Sequence, residues 1–191
     1  MSLIELILLA ISLGMDSFAV STCKGVAIRD LKTSDSLKLG LSFGFFQGFM
    51  TLIGSVLGTN FETYIEKIDH WIAFTLLVII GFNMIMEGRK PADTPHDDNM
   101  SLKTLVMLGI ATSIDALTVG IMLGILGNDV LFSSIIIAIA SFIMAYCGSI
   151  IGHKIGTMFG KPAYYAGGAV LIGMGTKILL EHLGIISAVI K

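Results

Sequence analysis

Two carboxylates stand inside apolar runs of this chain. Asp16 stands within "LGMDSFAVS" at 13–21, and Asp115 within "TSIDALTVG" at 112–120. A lone aspartate at the middle of a bilayer costs at least about 2.5–3.5 kcal/mol on insertion scales, so such residues usually mark ion paths, proton relays or ligand sites. The plain alternative is a protonated aspartate hydrogen-bonded to a neighbouring helix, which explains one such residue better than two. Nearby the sequence offers oxygen: Ser12, Ser17 and Ser21 around the first, Thr112, Ser113 and Thr118 around the second, and Asn83 between them. Carboxylates, hydroxyls, an amide and backbone carbonyls suit a hard divalent cation such as Mn²⁺, Mg²⁺ or Ca²⁺. No His or Cys stands at ligand spacing with either aspartate, which argues against a zinc or copper cage. Two negative charges would also leave a site loaded with one divalent cation near neutral.

The elements that position these residues follow from composition. Over 191 residues, 54% are hydrophobic and 14% charged, with mean hydropathy +0.89, values a water-soluble domain does not reach. The chain reads as an all-α polytopic membrane protein with no soluble domain left for separate catalysis and no sign of nucleic-acid binding. Its expected partners are the lipid bilayer and a divalent metal ion, and it is not expected to be an enzyme. A spanning helix needs about 20 apolar residues; such runs occur at about 3–23, 37–57, 70–87, 102–126, 130–151 and 163–181. The first lacks the basic flank of a signal peptide and carries Asp16, so it is read as a retained span. Cys23 and Cys147, in or beside spans, read as buried free thiols.

If the six spans alternate, one face receives Lys24, Arg29, Lys32, Lys38, Arg89, Lys90, Lys103, Lys154 and Lys161, whereas the other receives only Lys67 and Lys191. By the positive-inside rule the first face is cytoplasmic and both termini lie outside the cytoplasm. Residues 89–101 are then a cytoplasmic linker. Its His96, Asp97 and Asp98 could touch a metal, but a short solvated loop is the simpler account.

Setting Asp16 on Asp115 aligns "LILLAISLGMDSFAVSTCKGV" with "LVMLGIATSIDALTVGIMLGI", matching Leu9 with Leu108, Val20 with Val119 and Gly25 with Gly124. After gaps, Gly54 meets Gly152, Gly58 meets Gly156, Gly81 meets Gly175, Asn83 meets Lys177 and Glu87 meets Glu181. The chain reads as a three-span unit written twice, residues 1–88 and 102–191. An odd number of spans makes the two copies inverted, the plan of many secondary transporters with a midplane site. Asp16 and Asp115 each lie about 20 Å along their span, entering from opposite faces.

Other residues have two readings each. Gly40, Gly44 and Gly48, then Gly148, Gly152, Gly156 and Gly160, form smooth helix faces for sliding, for plain tight packing, or for a homodimer seam. Gly14 could let span one open before Met15 and Asp16. Among the methionines Met15 alone is suspected of touching substrate. Lys177 could be a tethered counter-ion of the acidic site, or simply pair with Glu181 or reach the interface. Glu87 and Glu181 could be mirrored entrance carboxylates or interfacial anchors.

"GMDSFAVS", "ATSIDALTVG", "GFNMIMEG" and "GTKILLEH" together resemble the MntP family of small bacterial manganese efflux pumps, over essentially the whole chain. The resemblance implies Mn²⁺ export across the bacterial inner membrane, with Asp16 and Asp115 as the acidic core, Asn83 near it, Mn²⁺ as substrate and no permanently bound cofactor. The family is similar in plan to LysE-type amino-acid exporters, so export of amino acids or other small metabolites is the runner-up. An intramembrane aspartyl protease would also need two membrane aspartates, but neither is approached by a glycine-x-glycine. A non-transporting assembly subunit would explain the glycines and leave the duplicated carboxylates without a role.

Overall fold

The computed structural model describes residues 2–28, 30–57, 69–89, 101–126 and 129–182. The linker with His96, Asp97 and Asp98, the loop carrying Gly58 and Lys67, Arg29, Lys90 and the last nine residues lie outside them, as do the side chains of Glu87 and Glu181. All regular structure described is helical: α1 (Leu3–Ala27), α2 (Thr33–Leu57), α3 (Asp69–Arg89), α4 (Leu102–Thr112), α5 (Ile114–Ile125), α6 (Val130–Phe159) and α7 (Lys161–His182). Local chemistry sets several starts. The Ser2 hydroxyl accepts from the Glu5 N–H while Glu5 accepts from Ser2 N–H, a complete capping box. Ser101 and Asp129 accept from the N–H groups of Thr104 and Phe132 in the same way. Between α6 and α7, Gly160 turns the chain at φ 61°, a conformation that favours glycine.

Helices α1, α2 and α6 are each long and apolar enough to cross a membrane, and α4 with α5 forms a fourth such unit bent by 47°. This is a multi-pass membrane protein. In α3 the apolar stretch is shorter, Leu77–Met86, and α7 dilutes its apolar residues with Gly167, Gly168, Gly173, Gly175 and Lys177. The helices overrun the apolar runs at several ends: α2 starts at Thr33 and α6 continues to Phe159.

Packing is mainly between the two halves of the chain. The main seams are α1 with α6, α2 with α6, α2 with α5 and α3 with α7, while neighbours within each half touch little. Glycine makes the seams. A Cβ at Gly25 would strike the Ser149 backbone, one at Gly152 the Thr22 backbone, and one at Gly120 the Thr51 backbone. Gly40, Gly44 and Gly48 lie against Phe142, Ala138 and Ser134 of α6. The glycine faces expected to slide or to join a homodimer are therefore largely occupied inside the chain.

These contacts exchange when one half is substituted for the other. Gly25 meets Ser149 as Gly124 meets Ser55; Gly148 meets Phe18 as Gly54 meets Leu117; Gly40 meets Phe142 as Gly48 meets Ser134. In α3 and α7, Gly81 and Gly168 face each other, and Gly88 on Tyr164 mirrors Gly175 on Leu77. The first span pair keeps the register of the sequence alignment, but Gly148, not Gly152, occupies the place of Gly54, about one turn away. Gly168, not Gly175, is the counterpart of Gly81, about two turns away. Asn83 and Lys177 are consequently not equivalent positions.

At one end of the bundle three hydrogen bonds tie helix termini together. The His153 ring lies 2.9 Å from the Ile28 carbonyl, Tyr164 donates to the Ala27 carbonyl, and Tyr165 donates to that of Gly88. The C-terminal ends of α1 and α3, the last turns of α6 and the start of α7 thus share one end. Cys23 is buried as expected, whereas Cys147 is exposed on the outer surface of α6; both are free.

Candidate cation site

Asp16 sits in an unbroken α1, with its side chain half-buried. Gly14 does not open that helix in this structure; its neighbours are the Met144 side chain and the Ala140 carbonyl, both in α6. The opening occurs instead at the equivalent place in span four. Ser113 takes φ −110°, ψ 5° and divides α4 from α5 two residues before Asp115. No proline or glycine causes this break. The hydroxyls of Thr112 and Ser113 bond back to the carbonyls of Leu108, Gly109 and Ile110, competing with the backbone ladder that would carry the helix onward.

The break has two consequences for chemistry. Asp115 falls in the first turn of α5, where its carboxylate accepts from the Ala116 N–H at 2.8 Å, at the end of a helix whose dipole favours negative charge. The carbonyls of Ala111 and Thr112 are also released, for among the described hydrogen bonds no backbone N–H returns to either. Broken transporter helices use such carbonyls as cation ligands.

The fold brings the two carboxylates into electrostatic reach of each other, and the Gln47 amide of α2 faces Asp115. Gln47 was not singled out in the sequence; the signal available was a solitary amide in the apolar "GFFQGFM" of span two. It is fully buried, and its Nε2 donates to the Leu13 carbonyl of α1 at 3.3 Å. Three buried side-chain oxygens near this level, Ser17 Oγ, Gln47 Oε1 and Ser141 Oγ, have no hydrogen-bond partner in the protein. A buried polar group left unsatisfied costs about 1–3 kcal/mol, so a cluster of them beside two carboxylates fits an oxygen-lined cation site. Among the described residues no three His, Cys, Asp or Glu side chains converge. A cation held here would rely on two carboxylates and neutral oxygens.

Other expected participants are placed differently. Ser17, Thr112 and Ser113 are buried beside the aspartates, the last two with their hydroxyls turned to backbone carbonyls. Ser12 and Ser21 bond to the carbonyls of Leu8 and Phe18 on their own helix. Met15 is 52% exposed on the outer side of α1. Asn83 is exposed on α3, and none of the described hydrogen bonds joins it to either aspartate. Lys177 is exposed on α7.

Residues 30–179 match a family model described as "Putative manganese efflux pump". The match takes in Asp115 and begins after Asp16, but relatives extend it. A "Putative manganese efflux pump MntP" of Acetivibrio thermocellus is 45% identical over 190 residues, covering 99% of this chain and 96% of that protein. Proteins of the same description from Desulfitobacterium hafniense and Clostridium perfringens are 48% and 41% identical, covering 95% and 97% of this chain and 96% and 98% of themselves. No solved structure gives a significant match. With the family model spanning most of the chain and relatives matching it nearly end to end, the protein belongs to the MntP family.

Proposed function

We propose that this chain exports Mn²⁺ across the bacterial inner membrane by alternating access, with Asp16 and Asp115 as the shared acidic core of one midplane site. The reading is carried by two carboxylates, one from each half, that lie within electrostatic reach of each other, with buried unpartnered oxygens on the same helices or facing them. Membership of a family whose members are described as manganese efflux pumps supplies the metal and the direction. Ser17 and the carbonyls of Ala111 and Thr112 are the supporting ligands nearest the pair.

The architecture proposed is two inverted three-helix units, 1–88 and 102–191, joined by a cytoplasmic linker. It is supported by the exchange of contacts between halves and by the gathering of those helix ends at one end of the bundle. That end also carries Lys24, Lys32, Lys38, Arg89, Lys103, Lys154 and Lys161, which favours the cytoplasm there and the termini opposite. In the structure span four is broken at Ser113 and span one is continuous. Exchanging these roles would present the same carboxylates to the other face, and one bound divalent cation would offset both charges during the passage.

Manganese-loaded cells lacking their own exporter, expressing this chain or its Asp16→Asn or Asp115→Asn variant at matched levels, test the reading by elemental mass spectrometry. The native chain should lower total cellular manganese and either substitution should abolish the fall. An unchanged manganese content with well-expressed native protein would remove manganese export and turn attention to small metabolites.

A further inference from the structure

The neutral groups around the aspartates are not equivalent, and Gln47 is the one whose orientation is fixed. Its side chain crosses from α2 to reach elements of both halves: the Leu13 carbonyl of α1, one residue before Gly14, and the Asp115 carboxyl of α5. Both of these neighbours accept hydrogen bonds. The amide can satisfy them only with its nitrogen, so a flip of the group would set oxygen against oxygen twice. Oε1 is fully buried and without a hydrogen-bond partner in the protein.

The exchange of contacts between halves adds a second observation. In the register that places Gly54 with Gly148 and Ser55 with Ser149, the counterpart of Gln47 is Ser141 of α6. Ser141 is also fully buried, and its Oγ also lacks a partner. Each half therefore sends one neutral oxygen from its second span to the level where its partner's first span carries the aspartate.

We propose that Gln47 is a direct ligand of the transported divalent cation through Oε1, held in position by its Nε2 on the Leu13 carbonyl. This rests on the reading of Asp16 and Asp115 as a cation site and names a third side chain in it. A neutral amide oxygen adds a hard ligand without adding charge, leaving two carboxylates matched to one dication. The same amide thus ties α2 to the carbonyl just before Gly14 in α1.

The chain contains a single glutamine, which permits a direct test. Full-length protein made by cell-free synthesis with ¹³C at the glutamine side-chain carbonyl, loaded with Mn²⁺, is measured by electron–nuclear double resonance. The expected result is a resolved ¹³C coupling to the bound Mn²⁺. A Mn²⁺-loaded protein with no such coupling would overturn the proposal and leave the aspartate site standing. In parallel, Mn²⁺ affinity is measured on folded Gln47→Met and Asp16→Asn proteins. Gln47→Met should bind about tenfold more weakly or worse, and affinity equal to the native protein's would also overturn the proposal. Native-like binding by Asp16→Asn would sink the underlying site instead.

Discussion

Asp16 and Asp115 occupy matching places in the two halves, yet the backbone treats them differently. Around Asp16, α1 runs unbroken from Leu3 to Ala27; around Asp115, the span divides at Ser113 and bends by 47°. The residues at the two hinge positions invert the usual expectation, because the glycine stays helical and the serine breaks. Glycine only lowers the cost of leaving a helix; at the break, the Thr112 and Ser113 hydroxyls bond back to the carbonyls of Leu108, Gly109 and Ile110, bonds of a kind that favour bending. Gly14 is wedged against Met144 in α6. Two near-equivalent spans in unlike states are what one side of an alternating cycle would contain.

The comparison makes its largest prediction at the carboxylates themselves. Although one lies in a continuous helix and the other at a helix start, Asp16→Asn and Asp115→Asn should each reduce manganese export to background in the cellular assay. Partial activity in one variant would mean that the halves do not share a single site. Next in size is the effect of filling the seams. Gly25→Ala places a methyl into the Ser149 backbone, while Gly173→Ala meets nothing within 4 Å. Overpacking costs about 1–3 kcal/mol, so the first should lower the thermal midpoint of the purified protein clearly, whereas the second, a helix-interior alanine with open space, should leave it unchanged or raise it slightly.

A subtler change addresses the hinge. Gly14→Ala favours the continuous helix by about 0.8–1.0 kcal/mol, and the Met144 side chain it meets can shift. Export should slow several-fold, with Mn²⁺ affinity preserved, if span one must open during transport; a native rate would show that it stays closed. The smallest effect is expected at Asn83→Ala, since that side chain is exposed on α3. Export within about twofold of native agrees with surface substitutions generally being mild.

Much of this was legible in the sequence because the relevant signals were rare ones. A carboxylate in an apolar run is uncommon, and its repetition singled out both candidate site residues and fixed the register of α1 against α4 and α5. The registers of the other pairs were not fixed. Glycines recurring every four residues, as at Gly148, Gly152 and Gly156, allow a slip of one turn without losing matches, and only the helix contacts choose Gly148 as the partner of Gly54. The same slip hid the correspondence of Gln47 with Ser141, and misplaced Asn83 against Lys177. The break at Ser113 was hidden for another reason. It involves no glycine or proline at the break and leaves no mark in hydropathy, so neither signal detects it.

The central claim is that two aspartates from opposite halves hold one cation. Counting Mn²⁺ per chain by equilibrium dialysis of the purified protein, native and with Asp16→Asn or Asp115→Asn, addresses it directly. One ion per native chain and none in either variant is the predicted result. Two ions per native chain, with one retained when a single aspartate is replaced, would contradict it.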